Sequence, residues 1–229
     1  MAQKSKPSVG VIVAVVLAVV VLGGWTYVWV KDRASTGSTE ASYSASVVGG
    51  TVVAGKPAKN TVDVYEDFLC PFCGRFESRD GDKIVKAVNN GDIQVVYHPV
   101  AILNQKSTPT GYSLRAANAA MCAADAGIFP KYHSVLFASQ PAEGSAGLTN
   151  DELIKKAEGL GNVPPSFATC VNSGKHQTAV TQETLRAVKN PAIREPGEDG
   201  FGTPTLVVNG KWADVSDDNW LSGLTKSSD

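Results

Sequence analysis

The sequence predicts an α/β domain held outside a membrane by one N-terminal transmembrane helix. Three observations carry that reading. An uncharged apolar run fills residues 9–30, a strand–helix–strand pattern spans residues 61–97, and strand character returns at residue 205 after a long helical stretch. Composition narrows the class further. With 21 basic against 22 acidic residues the 229-residue chain has no basic footprint for nucleic acid. A hydrophobic fraction of 43% excludes a wholly disordered chain. Four cysteines are too few for a disulfide-dense mini-scaffold, so a proper core is expected.

The run Val9–Val30 has 18 apolar residues in 22, and only Gly10, Gly23, Gly24 and Thr26 depart from it. As a helix it reaches about 33 Å, enough to cross a hydrocarbon core of about 30 Å. Lys4, Lys6 and the α-amino group precede it without an acid, which favours a cytoplasmic N-terminus and an extracytoplasmic remainder. Trp25, Tyr27 and Trp29 suit the outer interface. A cleaved signal or a buried core helix are the competing readings. The run exceeds the apolar length of an ordinary signal, and its end is aromatic rather than small-x-small. The expected layout is a cytoplasmic tail at 1–8, a single-pass cell-membrane anchor at 9–30 and a flexible small-polar linker at 31–48. The extracytoplasmic domain then fills 49–229.

Beyond the linker, Thr51–Ala54 reads as a short strand ended by a turn at Gly55-Lys56-Pro57. Residues 61–69 are β-branched and aromatic, a second strand. A helix is expected from Pro71 to about Asn89, a turn at Asn90-Gly91-Asp92, and a strand at 93–97. Residues 107–126 are alanine-rich and helical, 129–138 form a short amphipathic helix, and Thr149 with Glu152 opens another as a capping box. Helices at 165–171 and 177–189 follow. Strand 205–208, the Asn209-Gly210 hairpin signal and Lys211–Ala213 come next, then a last helix from Ser216 to Leu224.

The chemistry centres on Cys70-Pro71-Phe72-Cys73, where a strand hands over to a helix. Cys70 at the N-cap faces unpaired backbone amides and the positive end of the helix dipole, which favour a thiolate. Pro71 at the first helical position loses no hydrogen bond. Cys73, one turn inward, is the shielded resolving thiol. A zinc site needs a second close pair, yet 48 residues separate Cys73 from Cys122 and 47 separate Cys122 from Cys170. The histidines His98, His133 and His176 are scattered, so no metal is expected. A purely structural bond across four residues would constrain little. Redox chemistry remains. Thr203-Pro204, at a strand start, adds a candidate cis peptide. His133 is read as a packing or hydrogen-bonding residue.

The stretches Tyr65–Cys73 and Gly202–Thr205, with the helical block between them, resemble the thioredoxin superfamily. The likeness is to DsbA-like thiol–disulfide oxidoreductases, nearest to the membrane-anchored actinobacterial type. The resemblance spans about residues 49–229. It implies a thioredoxin fold with an α-helical domain inserted between the second and third core strands. The core would be 49–107 and 196–229, together 93 residues, and the insert 108–195. It also implies that Thr203 and cis-Pro204 face Cys70 and Cys73 and that backbone near them pairs with an extended substrate segment. Two positions depart from the pattern. The buried acid common six residues before the first cysteine is Val64 here. Glu66 and Asp67 are nearby candidates for proton transfer, though the family's role is not carried onto either. The dipeptide is Pro71-Phe72 rather than Pro-His, so Cys70 lacks one thiolate stabiliser. Its pKa is expected below the free value of about 8.5 but above the roughly 3.5 of DsbA, giving a milder oxidant. Cys122 and Cys170 both fall in the insert, either as a disulfide or as two buried thiols, and the resemblance favours the bond, worth roughly 4 kcal/mol.

The implied function is an oxidase that introduces disulfides into unfolded or newly exported cysteine-containing proteins, without a cofactor. Reoxidation would fall to a membrane partner of DsbB or vitamin-K-epoxide-reductase type. A monomer is expected; no separate dimerisation domain is seen before residue 49, which weakens an isomerase reading. The rivals are an extracytoplasmic reductase or isomerase on the same fold, and an anchored peptide-binding module without turnover.

Overall fold

The computed structural model describes residues 39–225. The expected tail, the anchor and most of the linker lie outside the described residues. Among the described residues no helix is long and apolar enough to cross a membrane.

Six strands form one sheet in the order β1-β2-β4-β3-β5-β6. They are β1 (Ala45–Val48), β2 (Thr51–Ala54), β3 (Asn60–Glu66), β4 (Ile93–Pro99), β5 (Thr205–Val208) and β6 (Lys211–Ala213). β3 and β4 are parallel, with Val62 opposite Val95 and Glu66 opposite Pro99, while the other neighbours are antiparallel. The parallel pair needs a crossover, supplied by α1 (Pro71–Asn90). Val62, Val64, Ile93 and Val95 share one face of this pair and are fully buried, whereas Asp63, Gln94 and Val96 on the other face are only half-buried. α1 begins with Pro71 at N1 and stops where Gly91 takes a left-handed φ of 73°.

Five further helices lie between β4 and β5: α2 (Tyr112–Asp125), α3 (Phe129–Ala138), α4 (Asn150–Glu158), α5 (Pro165–Ser173) and α6 (Gln177–Lys189). α2 is the hub. Its alanines 116, 117, 119, 120 and 123 have no exposed surface, and their small side chains let α3, α5 and α6 close in around it. Cys122 of α2 and Cys170 of α5 are disulfide-bonded, with Cα atoms 5.7 Å apart. The capping box on α4 is present: Glu152 N–H donates to Thr149 Oγ1 at 3.2 Å, and Thr149 N–H donates to Glu152 Oε2 at 2.8 Å. Asn209 and Gly210 both take positive φ in the turn between β5 and β6.

Three expectations are corrected. Residues 45–48, read as linker, form the edge strand β1, whose Val48 lies opposite Thr51, so the ordered domain begins before residue 49. Alternating Ala45-Ser46-Val47-Val48 acquires a strand partner only through the hairpin at Gly49-Gly50. The first insert helix starts at Tyr112 rather than Ser107, because Gly111 enters it at φ 114°. The expected helix at 216–224 is a chain of turns. There the Asp214 side chain accepts from the Ser216 amide and the Asp217 side chain from the Asn219 amide, local bonds that compete with a helical ladder.

Candidate active site

β3 delivers the chain to its C-terminal end, where Asp67–Leu69 turn it into α1. Cys70 is the N-cap residue in extended conformation, and Cys73 lies one turn in. Both are free thiols, and they are buried unequally: Cys70 keeps 5% exposure and Cys73 none. From the other side the loop before β5 brings up Thr203 and Pro204, joined by a cis peptide bond, and the Cys70 thiol donates to the Thr203 carbonyl at 3.3 Å. Residues 133 positions apart in sequence thus meet at one sulfur.

The two sulfurs are electrostatically unlike. The Cys70 thiol is lowered to about 6, foremost because the Cys73 thiol donates a hydrogen bond to its thiolate; burial opposes this, and the Cys73 and Phe72 amides assist. Cys73 is raised well above the ordinary thiol value by burial, and a thiolate on Cys70 raises it further. One cysteine is therefore a thiolate at neutral pH, and the other holds its proton.

Glu66 and Asp67 are adjacent in sequence but point to different places. Asp67 is fully buried beneath the pair, with its Oδ1 accepting from Leu69 N–H at 2.9 Å and its Oδ2 from Leu103 N–H at 2.8 Å. Desolvation pushes its carboxyl up to about 6 against those two amides, and a Cys70 thiolate adds to the rise. Glu66 instead bonds His133 of α3, Oε1 to Nε2 at 2.6 Å. His133 is thus the hydrogen-bonding residue the sequence reading expected. Burial works against its charge, but the Glu66 and Glu77 carboxylates hold it above the ordinary imidazole range.

Two supports carried no recognisable sequence signal. Gln140, just past α3, donates to the Phe68 and Cys70 carbonyls at 3.2 and 2.9 Å and so fastens the insert to the cysteine loop. Gly74 leaves room for it, since a Cβ there would stand 2.4 Å from Gln140 Oε1. Phe72 is 63% exposed, with the Arg75 guanidinium 4.2 Å over its ring. Beside it opens a groove of about 790 Å³ lined by Phe72, Phe76, Thr203, Pro204 and Trp212.

A family model described as thioredoxin matches residues 47–225. The chain belongs to the thioredoxin family. Among solved structures, this thioredoxin-family chain is similar to reduced DsbA from Mycobacterium tuberculosis. Their identity is 34% over 82% of this chain and 88% of that one, with a TM-score of 0.62. It is also similar to the reduced disulfide bond oxidoreductase DsbG of the same organism, at 38% identity over 70% of this chain and 75% of that one, with a TM-score of 0.56. The serine/threonine-protein kinase PknE of M. tuberculosis is 31% identical over 182 residues, 76% of this chain and 31% of the kinase. The chain thus spans about a third of the length of the curated relatives it matches. Its likeness among thioredoxin-family structures is to DsbA-like thiol–disulfide oxidoreductases, and its paired thiols are the groups that dithiol–disulfide exchange requires.

Proposed function

We propose that this chain is a membrane-anchored, extracytoplasmic thiol–disulfide oxidase that introduces disulfides into newly exported proteins. The observation that carries the reading is the division between Cys70, lowered to about 6 at a helix N-terminus, and the shielded Cys73, raised by burial. A low pKa on Cys70 favours the reduced form of the protein and so makes its disulfide oxidising.

A substrate thiolate attacks the Cys70 sulfur of the Cys70–Cys73 disulfide. The S–S bond breaks, Cys73 leaves with the electron pair and takes up a proton, and Asp67 is the buried acid placed to supply it. A mixed disulfide now joins substrate to Cys70. A second substrate thiolate attacks the substrate sulfur of that bond, and Cys70 departs as the thiolate its surroundings favour. The substrate has lost two electrons and two protons; the protein holds the reduced pair, a Cys70 thiolate and a Cys73 thiol, and the second proton passes to solvent. In this reading Phe72, Thr203 and Pro204 receive the extended substrate, whose backbone pairs with that beside Pro204. A membrane oxidase of DsbB or vitamin-K-epoxide-reductase type then restores the disulfide, and the protein works as a monomer held by a single membrane crossing at residues 9–30.

The deciding measurement is the reduction potential of the Cys70–Cys73 pair. A value toward the roughly −120 mV of DsbA is expected, and one near the −270 mV of thioredoxin would overturn the oxidase in favour of a reductase. A Cys70→Ala protein should fail to oxidise a reduced, unfolded substrate. Full cellular function of that variant would instead favour a peptide-binding module.

A further inference from the structure

On the side of the fold where the helical insert meets the sheet, three side chains from separate elements converge. Glu66 comes from the end of β3, Glu77 from α1 and His133 from α3. Glu66 Oε1 lies 2.6 Å from His133 Nε2, and Glu77 Oε2 lies 3.8 Å from His133 Nδ1. One ligating atom of each residue falls within 4.8 Å of the others. The side chains of Glu66, His133 and Glu77 keep only 1%, 5% and 9% of their surface exposed.

Two carboxylates this deep are costly unless each oxygen is satisfied. Here they are not. Glu66 Oε2 and Glu77 Oε1 are buried with no hydrogen-bond partner among the described residues. Aromatic rings close around His133, with Tyr97, Phe137 and Phe129 centred 4.7, 5.1 and 5.2 Å away, and bring no hydrogen bond to either orphan oxygen. A single imidazole carries at most one positive charge against two carboxylates. One small dication satisfies both shortfalls: it neutralises the cluster and gives the orphan oxygens a partner.

We propose that Glu66, Glu77 and His133 bind one divalent first-row transition cation. Two carboxylate oxygens and one imidazole nitrogen, without thiolate, suit Zn²⁺ or Mn²⁺ rather than a soft ion. Glu77, at the least buried corner, is the way in. The ion would clamp the insert to the core through α3, α1 and β3, and what it adds is stability.

Zn²⁺ is the probe, used on the full chain with Cys70 and Cys73 oxidised so that they cannot ligate it. Equilibrium dialysis is expected to retain one Zn²⁺ per chain and thermal unfolding to move upward with Zn²⁺ concentration. Glu77→Gln, chosen because its side chain is nearest solvent, should weaken retention at least about tenfold. A readout independent of any variant's folding is the Co²⁺ spectrum of the oxidised wild-type protein. Ligand-field bands without a sulfur charge-transfer band are expected. No retained Zn²⁺, unchanged retention in Glu77→Gln, or no Co²⁺ bands would each overturn the site and leave the cluster held by a proton shared between Glu66 and His133.

Discussion

At Cys70, three groups favour the thiolate: the Cys73 thiol, the Thr203 side chain and the first amides of α1. Their sum should be readable as a titration. Alkylation of the reduced protein is expected to follow a single thiolate with a midpoint near 6, with Cys73 unreactive. A midpoint above about 8 would contradict the thiolate assignment. The same shift has a thermodynamic sign. The folded pKa of Cys70 lies below the ordinary value of 9.0, so the reduced form gains stability that is full above that value and is lost as pH falls through about 6. The Tm of the reduced protein, measured against the oxidised form, should therefore drop across that window. Asp67 makes a different demand. Both of its oxygens accept backbone amides, from Leu69 and Leu103. An asparagine has only one acceptor, so Asp67→Asn leaves one buried donor facing another. Urea unfolding should show a loss of about 1–3 kcal/mol.

Elements in this chain are fastened to each other at a few points. The disulfide joins α2 to α5 inside the insert, and Gln140 ties the end of α3 to the cysteine loop. Cys122→Ser should cost roughly 2–4 kcal/mol in chemical denaturation while leaving exchange at Cys70 intact. Loss of exchange in a folded Cys122→Ser protein would sink the structural role. Local signals served the elements that depend on local physics. The capping box at Thr149, the Asn209-Gly210 hairpin and the proline at the start of α1 were all legible, because each is settled within four residues. β1 was not, since an edge strand is defined by the partner it finds. The helix expected at 216–224 rested on Ser216 as a cap, but Ser216 and Asn219 are taken up by Asp214 and Asp217 in local turns.

For the whole molecule, the order of events along the chain and the order in space differ sharply. The parallel pair β3–β4 is completed by β5, which arrives only after the five helices of the insert. That return places Thr203 and Pro204 against Cys70 and makes the site a product of the global fold. The proposed anchor is tested at the same scale. On fractionation, the full chain is expected with membranes, and a chain lacking residues 1–30, which has lost the segment that would carry it across, in the cytosol. Recovery of the full chain from the cytosol would refute the extracytoplasmic placement.

By itself the sequence marked out the Cys70–Cys73 pair, with one sulfur at a helix start and the other one turn in, and the alternation of strand and helix that frames it; that both sulfurs are buried came only from the structure. What the sequence marked out depends on residue type and near neighbours: a thiol at a helix start, a proline at N1, a β-branched run before them. It also marked out Glu66 and Asp67 without telling them apart. Only the tertiary structure sent Asp67 beneath the cysteines and Glu66 across to His133 and Glu77. Adjacent residues at a strand end take opposite directions, and what each one meets is fixed by elements 36 and 67 residues away.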